Sequence, residues 1–290
     1  MADVQKLVVV GVGLLGGSIA KAALARGVAA EVVGVGRNRE KLAQAQRNGV
    51  VTSATTDMSA ACCGADLIVV CTPVDTIAAH VRDAAAACNR PTLITDAGST
   101  KADIVGELPA ELPGRCRFVG SHPLAGSEKT GAENAAADLF VGRTVVVTPT
   151  DTSRGEDVEW LRAFWTALGA SVRLMPPDEH DRALAATSHA PHLIAVALAL
   201  ATATEDLPLT ASGWLDTTRI AAADAQLWRP IFAANRANVL KALDEFGKTL
   251  ASLRHALESE SAGDLTNLLA EARRVRKAAE EIRNGNALGS

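Results

Sequence analysis

Six histidines are spread over the 290 residues. One of them, His122, stands in the stretch GSHPLAGSE (120–128), between the apolar run CRFVG and a proline. A histidine there is either a polar residue in a tight turn or a base held at the mouth of a sheet. Imidazole changes charge near neutral pH, which suits a base that takes a hydroxyl proton while the hydroxyl carbon loses a hydride. DAGSTK (96–101) closes another apolar run and offers Ser99, whose hydroxyl can donate or accept and can orient the imidazole. Downstream, TSHAPH (187–192) puts His189 and His192 three apart on one helix face. A metal site would need a third ligand and none stands near, so no metal is expected, and capping, packing or contact with an anionic substrate remain open. In GWLDTTRIAAADAQLWRP, Arg219 can grip a carboxylate through paired hydrogen bonds, with Asp216 three residues earlier to hold it and Trp228 nine residues later. A surface ion pair is the plainer reading of Arg219.

Hydride chemistry needs an acceptor, and the N-terminal segment supplies a place for one. GVGLLGG carries Gly11, Gly13 and Gly16 in the G-x-G-x-x-G spacing, after the apolar run KLVVV and at the start of a helical stretch. The first glycine permits a tight turn, the second lets a pyrophosphate approach the backbone, and the third lets helix and strand pack closely. Cofactor contacts are therefore expected at Gly11, Gly13, Leu14, Leu15 and Gly16, with Thr72 of CTP (71–73) near the nicotinamide. The second strand, EVVGVG (31–36), ends in Gly36-Arg37, where an NAD-preferring site would place a carboxylate for the ribose hydroxyls. An arginine pairs with a 2′-phosphate, so Arg37 favours NADP, though it can also stack on adenine or lie in solvent.

These groups must be carried by a sheet. KLVVV, EVVGVG, ADLIVVCTP, PTLITDAGS, CRFVGSHP, RTVVVTPT and SVRLMPP read as strands, with helical stretches between most of them. Such alternation predicts right-handed βαβ units and an α/β fold, a Rossmann-type doubly wound, mostly parallel sheet over residues 1–177. Chemistry in such a sheet lies beyond the carboxyl ends of the strands, where the His122 and Ser99 stretches fall. From 178 to 290 only helical periodicity is found, predicting an all-helical substrate and dimerisation domain. Within it Val239, Leu243, Phe246, Leu250, Leu253 and Leu257 step by 4, 3, 4, 3 and 4, a seam suited to helix packing inside a bundle or across a homodimer.

The net charge is −4 and no basic stripe interrupts it, which argues against nucleic acid as a partner. No apolar run is read as approaching the roughly 18 residues of a membrane span, and the N-terminal apolar run is chopped by glycines, unlike a signal peptide. The five cysteines show no CxxC spacing and read as free thiols. A cytoplasmic protein without a membrane partner is expected, ending in an unstructured tail, NGNALGS.

The chain resembles the TyrA family of prephenate and arogenate dehydrogenases. GVGLLGGS, DAGSTK, GSHPLAGSEKTG, TSHAPH and GWLDTTR…LWR stand in that family's order, over about residues 6–260. The resemblance implies a Rossmann-type domain followed by a helical dimerisation domain. It implies oxidative decarboxylation of prephenate to 4-hydroxyphenylpyruvate in tyrosine biosynthesis, with arogenate, the amino-acid analogue, as the alternative substrate. His122 would bind the C4 hydroxyl and take its proton as hydride leaves C4 for NAD(P), and Ser99 would support both. Arg219 would bind a substrate carboxylate, and His192, Glu128, Asp216 and Trp228 would line or gate the pocket. Two other readings are a β-hydroxyacid dehydrogenase, which would centre on a lysine of the helical half, and a non-catalytic dinucleotide sensor, which would not require His122, Ser99 and Arg219 together.

Overall fold

The computed structural model describes residues 4–126, 129–259 and 262–283. Glu128 and the tail NGNALGS lie outside them. The chain divides into two compact units, Met1–Val239 and Leu240–Ser290.

The first unit is built on a parallel sheet of β1 (Val4–Val10), β2 (Ala29–Val35), β3 (Ser53–Thr55), β4 (Leu67–Val70), β5 (Leu93–Asp96) and β6 (Arg117–Phe118). Its order is β3-β2-β1-β4-β5-β6, and every neighbouring pair is parallel. Successive side chains of a strand point to opposite faces. Leu7 and Val9 accordingly enter one core with Ile19, Val32 and Trp165, while Val8 and Val10 enter another with Val33, Ile68 and Ile77. Both faces are buried, which explains why these strands read as continuous apolar runs. Helices α1 (Leu14–Ala25), α2 (Arg39–Arg47), α3 (Met58–Cys62), α4 (Val74–Ala87) and α5 (Ala102–Gly106) connect the strands. The strand order reverses between β1 and β4, which opens a crevice beyond their carboxyl ends.

CRFVGSHP, read as one strand, is two strands in two sheets. Val119 N–H still bonds to Ile94 on β5. At Gly120 the chain leaves to form β7 (Gly120–Pro123), which joins β8 (Thr144–Thr148) and β9 (Ser171–Leu174) in a second sheet of order β7-β8-β9. The β7–β8 pair is antiparallel and the β8–β9 pair parallel, with α6 (Gly155–Ala167) crossing between β8 and β9. The switch point is tight: a Cβ on Gly120 would lie 2.5 Å from Thr148 Oγ1.

Beyond Leu174 the described residues form no strand. A continuous helical run, Pro177–Ala201, comprises α7 (Pro177–Leu184), one π turn (Ala185–His189) and α8 (Ala190–Ala201). Pro191 explains the π turn, because it lacks the N–H that would bond to the carbonyl of residue 187. Contrary to the sequence expectation, this run is long enough, and an 18-residue stretch of it apolar enough, to cross a membrane. It also buries His180, Asp181, His189 and His192. α9 (Ser212–Thr218) and α10 (Ala225–Ala234) complete the unit, α9 packing on α8 and α10 on α4. The composition changes at residue 177, but compactness continues to Val239 because these helices pack into the sheet unit.

α11 (Arg236–Glu258) runs into the second unit, and α12 (Ala262–Arg283) follows it. There Phe246, Leu250 and Leu257 of the seam are exposed, as are Leu269 and Val275 of α12.

The glycine turn gives a paired prediction. A Cβ on Gly16 would fall 2.1 Å from Gly11 O and 2.9 Å from a Val9 methyl, whereas one on Gly13 meets nothing within 4 Å. Gly16→Ala is expected to cost about 1–3 kcal/mol in urea unfolding. Gly13→Ala should stay within about 1 kcal/mol of the parent.

Candidate active site

The cradle for a dinucleotide forms where β1 turns into α1. Gly11 has φ +95°, in the left-handed region that glycine tolerates, and a Cβ there would meet Cys71 O at 2.8 Å and Thr72 Cγ2 at 3.1 Å. Thr72 therefore walls the turn from β4, and its hydroxyl pairs with His80 Nδ1 at 3.0 Å. Gly13 caps α1 with open space in front of it and no side-chain cap. Helix N–H groups without a side-chain acceptor favour an anionic group, so these residues fit a pyrophosphate. Leu14 and Leu15 open the helix, half-buried. Arg37 lies just beyond β2 and is exposed.

His122 sits on β7 and is buried. Its Nδ1 lies 2.8 Å from Nε2 of His180, whose own Nδ1 lies 2.7 Å from an Asp181 carboxylate oxygen. That carboxylate also accepts the backbone N–H groups of Lys101 at 2.8 Å and Ala102 at 2.9 Å. Asn235 donates to Asp181 O at 2.7 Å and approaches His189 Nδ1 at 3.1 Å. Burial is the main reason that His122 titrates well below the ordinary imidazole value, and positive charge on His180, Lys101 or His189 adds to the effect. The ring is therefore neutral at physiological pH, the form a base requires.

Beneath it, Lys101 pairs with Asp96 in full burial. Asp96 also accepts Gly98 N–H at 2.8 Å and Ser121 N–H at 3.1 Å, while Lys101 Nζ donates to Ser121 O at 3.1 Å. Burial pulls the Lys101 ammonium down and Asp96 opposes that shift.

Ser99 is half-buried on the loop after β5, and no hydrogen bond joins its side chain to His122 among the described residues. The hydrogen bond at His122 Nδ1 goes to His180. His192 stacks on Trp228 with ring centroids 3.8 Å apart and planes 19° apart, and its buried Nδ1 has no hydrogen-bond partner. Burial lowers the pKa of His192 as well. Arg219 opens the turn Arg219–Ala222, which packs on α8, and is exposed. Asp216 is also exposed and makes no ion pair among the described residues. A cavity of about 520 Å³ at the β6 edge, lined by Arg115, Phe118 and Thr150, contains none of these groups.

Sequence reasoning passed over Asp96, Lys101, His180, Asp181 and Asn235. Asp96 and Lys101 bracket DAGSTK, and two charges at the end of an apolar strand were a usable signal for a buried pair. His180 and Asp181 stand three and four residues after the second of two prolines, with only helical amphipathicity to mark them. Nothing in the local sequence points to Asn235.

Residues 19–174 match the family described as prephenate dehydrogenase, nucleotide-binding domain, and residues 176–271 match prephenate dehydrogenase, dimerization domain. The cyclohexadienyl dehydrogenase of Zymomonas mobilis is 30% identical over 96% of this chain and 97% of its own. The prephenate dehydrogenase of Bacillus subtilis is 32% identical over 96% of this chain and 75% of its own. A crystal structure of Aquifex aeolicus prephenate dehydrogenase with hydroxyphenyl propionate and NAD+ superposes with a TM-score of 0.87 at 32% identity, covering 95% and 98% of the two chains.

Burial of neutral histidine makes stability depend on pH. His189 is lowered to about 4 from 6.5, mainly by burial. The unfolded chain binds the extra proton first, so this contribution is complete above pH 6.5 and is lost as pH falls toward 4. Urea unfolding between those limits should show a loss of up to about 3 kcal/mol from this residue. His189→Gln should flatten that slope.

Proposed function

The chain belongs to the prephenate dehydrogenase family, and we propose from that premise that it oxidatively decarboxylates prephenate with His122 as the base. It is a nicotinamide-dependent oxidoreductase with a Rossmann fold. The observation that carries the reading is a buried imidazole whose Nδ1 is held by His180 and whose low proton affinity keeps it neutral.

The glycine turn, the open N-terminus of α1 and Thr72 would hold the dinucleotide, which supplies the hydride acceptor when bound. His122 Nε2 accepts the proton of the C4 hydroxyl as the C4–H bond gives up its hydride. The C1–carboxylate bond then breaks, its electrons enter the ring, and CO2 leaves. The ring oxygen recovers its proton from His122 as the phenol forms, so the base ends neutral. Desolvation around His122 keeps the ring neutral and excludes bulk water from the transfer. Arg219 supplies the charge that binds a substrate carboxylate. His192, stacked on Trp228 with an unpartnered ring nitrogen, supplies a polar contact for the substrate, and Ser99 supports the C4 hydroxyl.

Arg37 favours NADP: it is exposed at the end of β2, where Gly36 leaves no carboxylate to repel a 2′-phosphate. The exposed seam of Phe246, Leu250 and Leu257 is proposed to be covered in a homodimer, in line with the match to a dimerization domain. Arogenate remains the second substrate reading, favoured by the Zymomonas mobilis relative named as a cyclohexadienyl dehydrogenase.

Prephenate and arogenate, each with NAD+ and with NADP+, should be followed by reduced-nicotinamide absorbance. Turnover is expected with prephenate, and silence in all four mixtures from folded protein that binds dinucleotide would sink the reaction. His122→Asn should lower kcat by about 10²–10⁴-fold while dinucleotide binding persists. Arg37→Ala should raise KM for NADP+ about 10-fold and leave that for NAD+ nearly unchanged.

A further inference from the structure

The hydrogen bonds around His122 have directions that can be assigned one at a time. The Asp181 carboxylate accepts two backbone N–H groups and faces His180 Nδ1 at 2.7 Å. An ionised carboxylate has acceptors only, so His180 carries a proton on Nδ1. A neutral His180 then presents its lone pair on Nε2, 2.8 Å from His122 Nδ1. The proton in that gap belongs to His122 Nδ1, and the lone pair of neutral His122 is left on Nε2. A charged His180 would reverse this bond and put a proton on His122 Nε2, turning the base into a donor. It would also add a second cation to a buried site that already holds Lys101.

We propose that His180 and Asp181 are positioning residues that fix His122 in the tautomer with its lone pair on Nε2 and share the positive charge it gains. The proposal rests on His122 being the base of the reaction above. As Nε2 takes the hydroxyl proton, the Nδ1–H moves toward His180, and the charge is drawn toward the Asp181 carboxylate. When the phenol forms, the proton returns to oxygen and both bonds relax, so the chain of groups ends as it began. The task that the sequence gives to Ser99 thus falls to a pair carried by another element, 58 residues along the chain. The charged and titratable groups facing His122 are His180 and Asp181 from α7, Lys101 from the start of α5, and His189 from the π turn. Asp96 on β5 faces Lys101.

The test uses full-length protein with ¹⁵N-labelled histidine and long-range proton–nitrogen correlation at neutral pH. His122 should read as the Nδ1–H tautomer in the parent, and an Nε2–H tautomer would overturn the proposal. His180→Leu removes the acceptor and should lower kcat about 10²-fold with unchanged dinucleotide affinity, less than the loss of a proton-relay tautomer in a catalytic triad. His180→Gln keeps an acceptor oxygen and should restore most of that loss. In His180→Leu the acidic limb of kcat/KM should move to lower pH, because the imidazolium of His122 has lost its support. A move to higher pH would mean that His180 was charged and donating, and equal losses in the Leu and Gln variants would mean that it only fills space; either result ends the proposal. The tautomer is read without turnover, so failure here is distinguishable from absence of the reaction.

Discussion

The buried pair of Asp96 and Lys101 is the interaction on which the site depends. Both side chains are wholly removed from solvent, and removing one partner from such a pair costs about 3–5 kcal/mol because the other charge is left uncompensated. The pair also joins parts that no ladder joins. Asp96 ends β5 in the parallel sheet and accepts Ser121 N–H from β7 in the second sheet, while Lys101 donates to Ser121 O. Ser121 Oγ adds bonds to Asp96 O at 2.6 Å and Trp165 Nε1 at 3.2 Å. The residue after Ser121 is His122, so the ion pair sets where that imidazole stands.

The same loop reaches the helices. Lys101 and Ala102 present their backbone N–H groups to Asp181, and Asn235 holds the Asp181 carbonyl and His189. One polar network therefore runs from β5 through β7 and α7 to the end of α10, inside an otherwise apolar unit. Nearly every member has its hydrogen bonds met, which is the condition for a buried network to stabilise. The π turn belongs to this arrangement: it brings His189 inward, and His192 lies three residues beyond it on α8. A proline that disturbs a helix thus helps to aim two histidines at different neighbours, Asn235 and Trp228.

The dinucleotide end of the unit is built differently, from backbone and absent side chains. Gly11 and Gly16 leave room for Cys71 O, Gly11 O and the Val9 side chain, while Gly13 leaves room for nothing in the protein itself. Two glycines serve packing and the third leaves an open surface at a helix N-terminus. This division is visible only when the space around each is measured, although the spacing of all three marks the turn in the chain.

By itself the sequence determined the parallel sheet, the glycine turn and the helical second half, and it singled out the His122, Ser99, His192, Arg219 and Trp228 stretches as candidates. These are local or periodic signals: apolar runs bounded by turns, fixed spacings, a proline after a histidine. Tertiary structure alone decided that CRFVGSHP divides between two sheets, because strand pairing is settled by partners far along the chain. It decided likewise that the helices up to Val239 pack with the sheet unit, and that His122 meets His180 rather than Ser99. A hydrogen bond between residues 58 apart leaves no mark on spacing or composition. It exists because the ion pair beneath β7 and the helix after two prolines bring those rings to 2.8 Å.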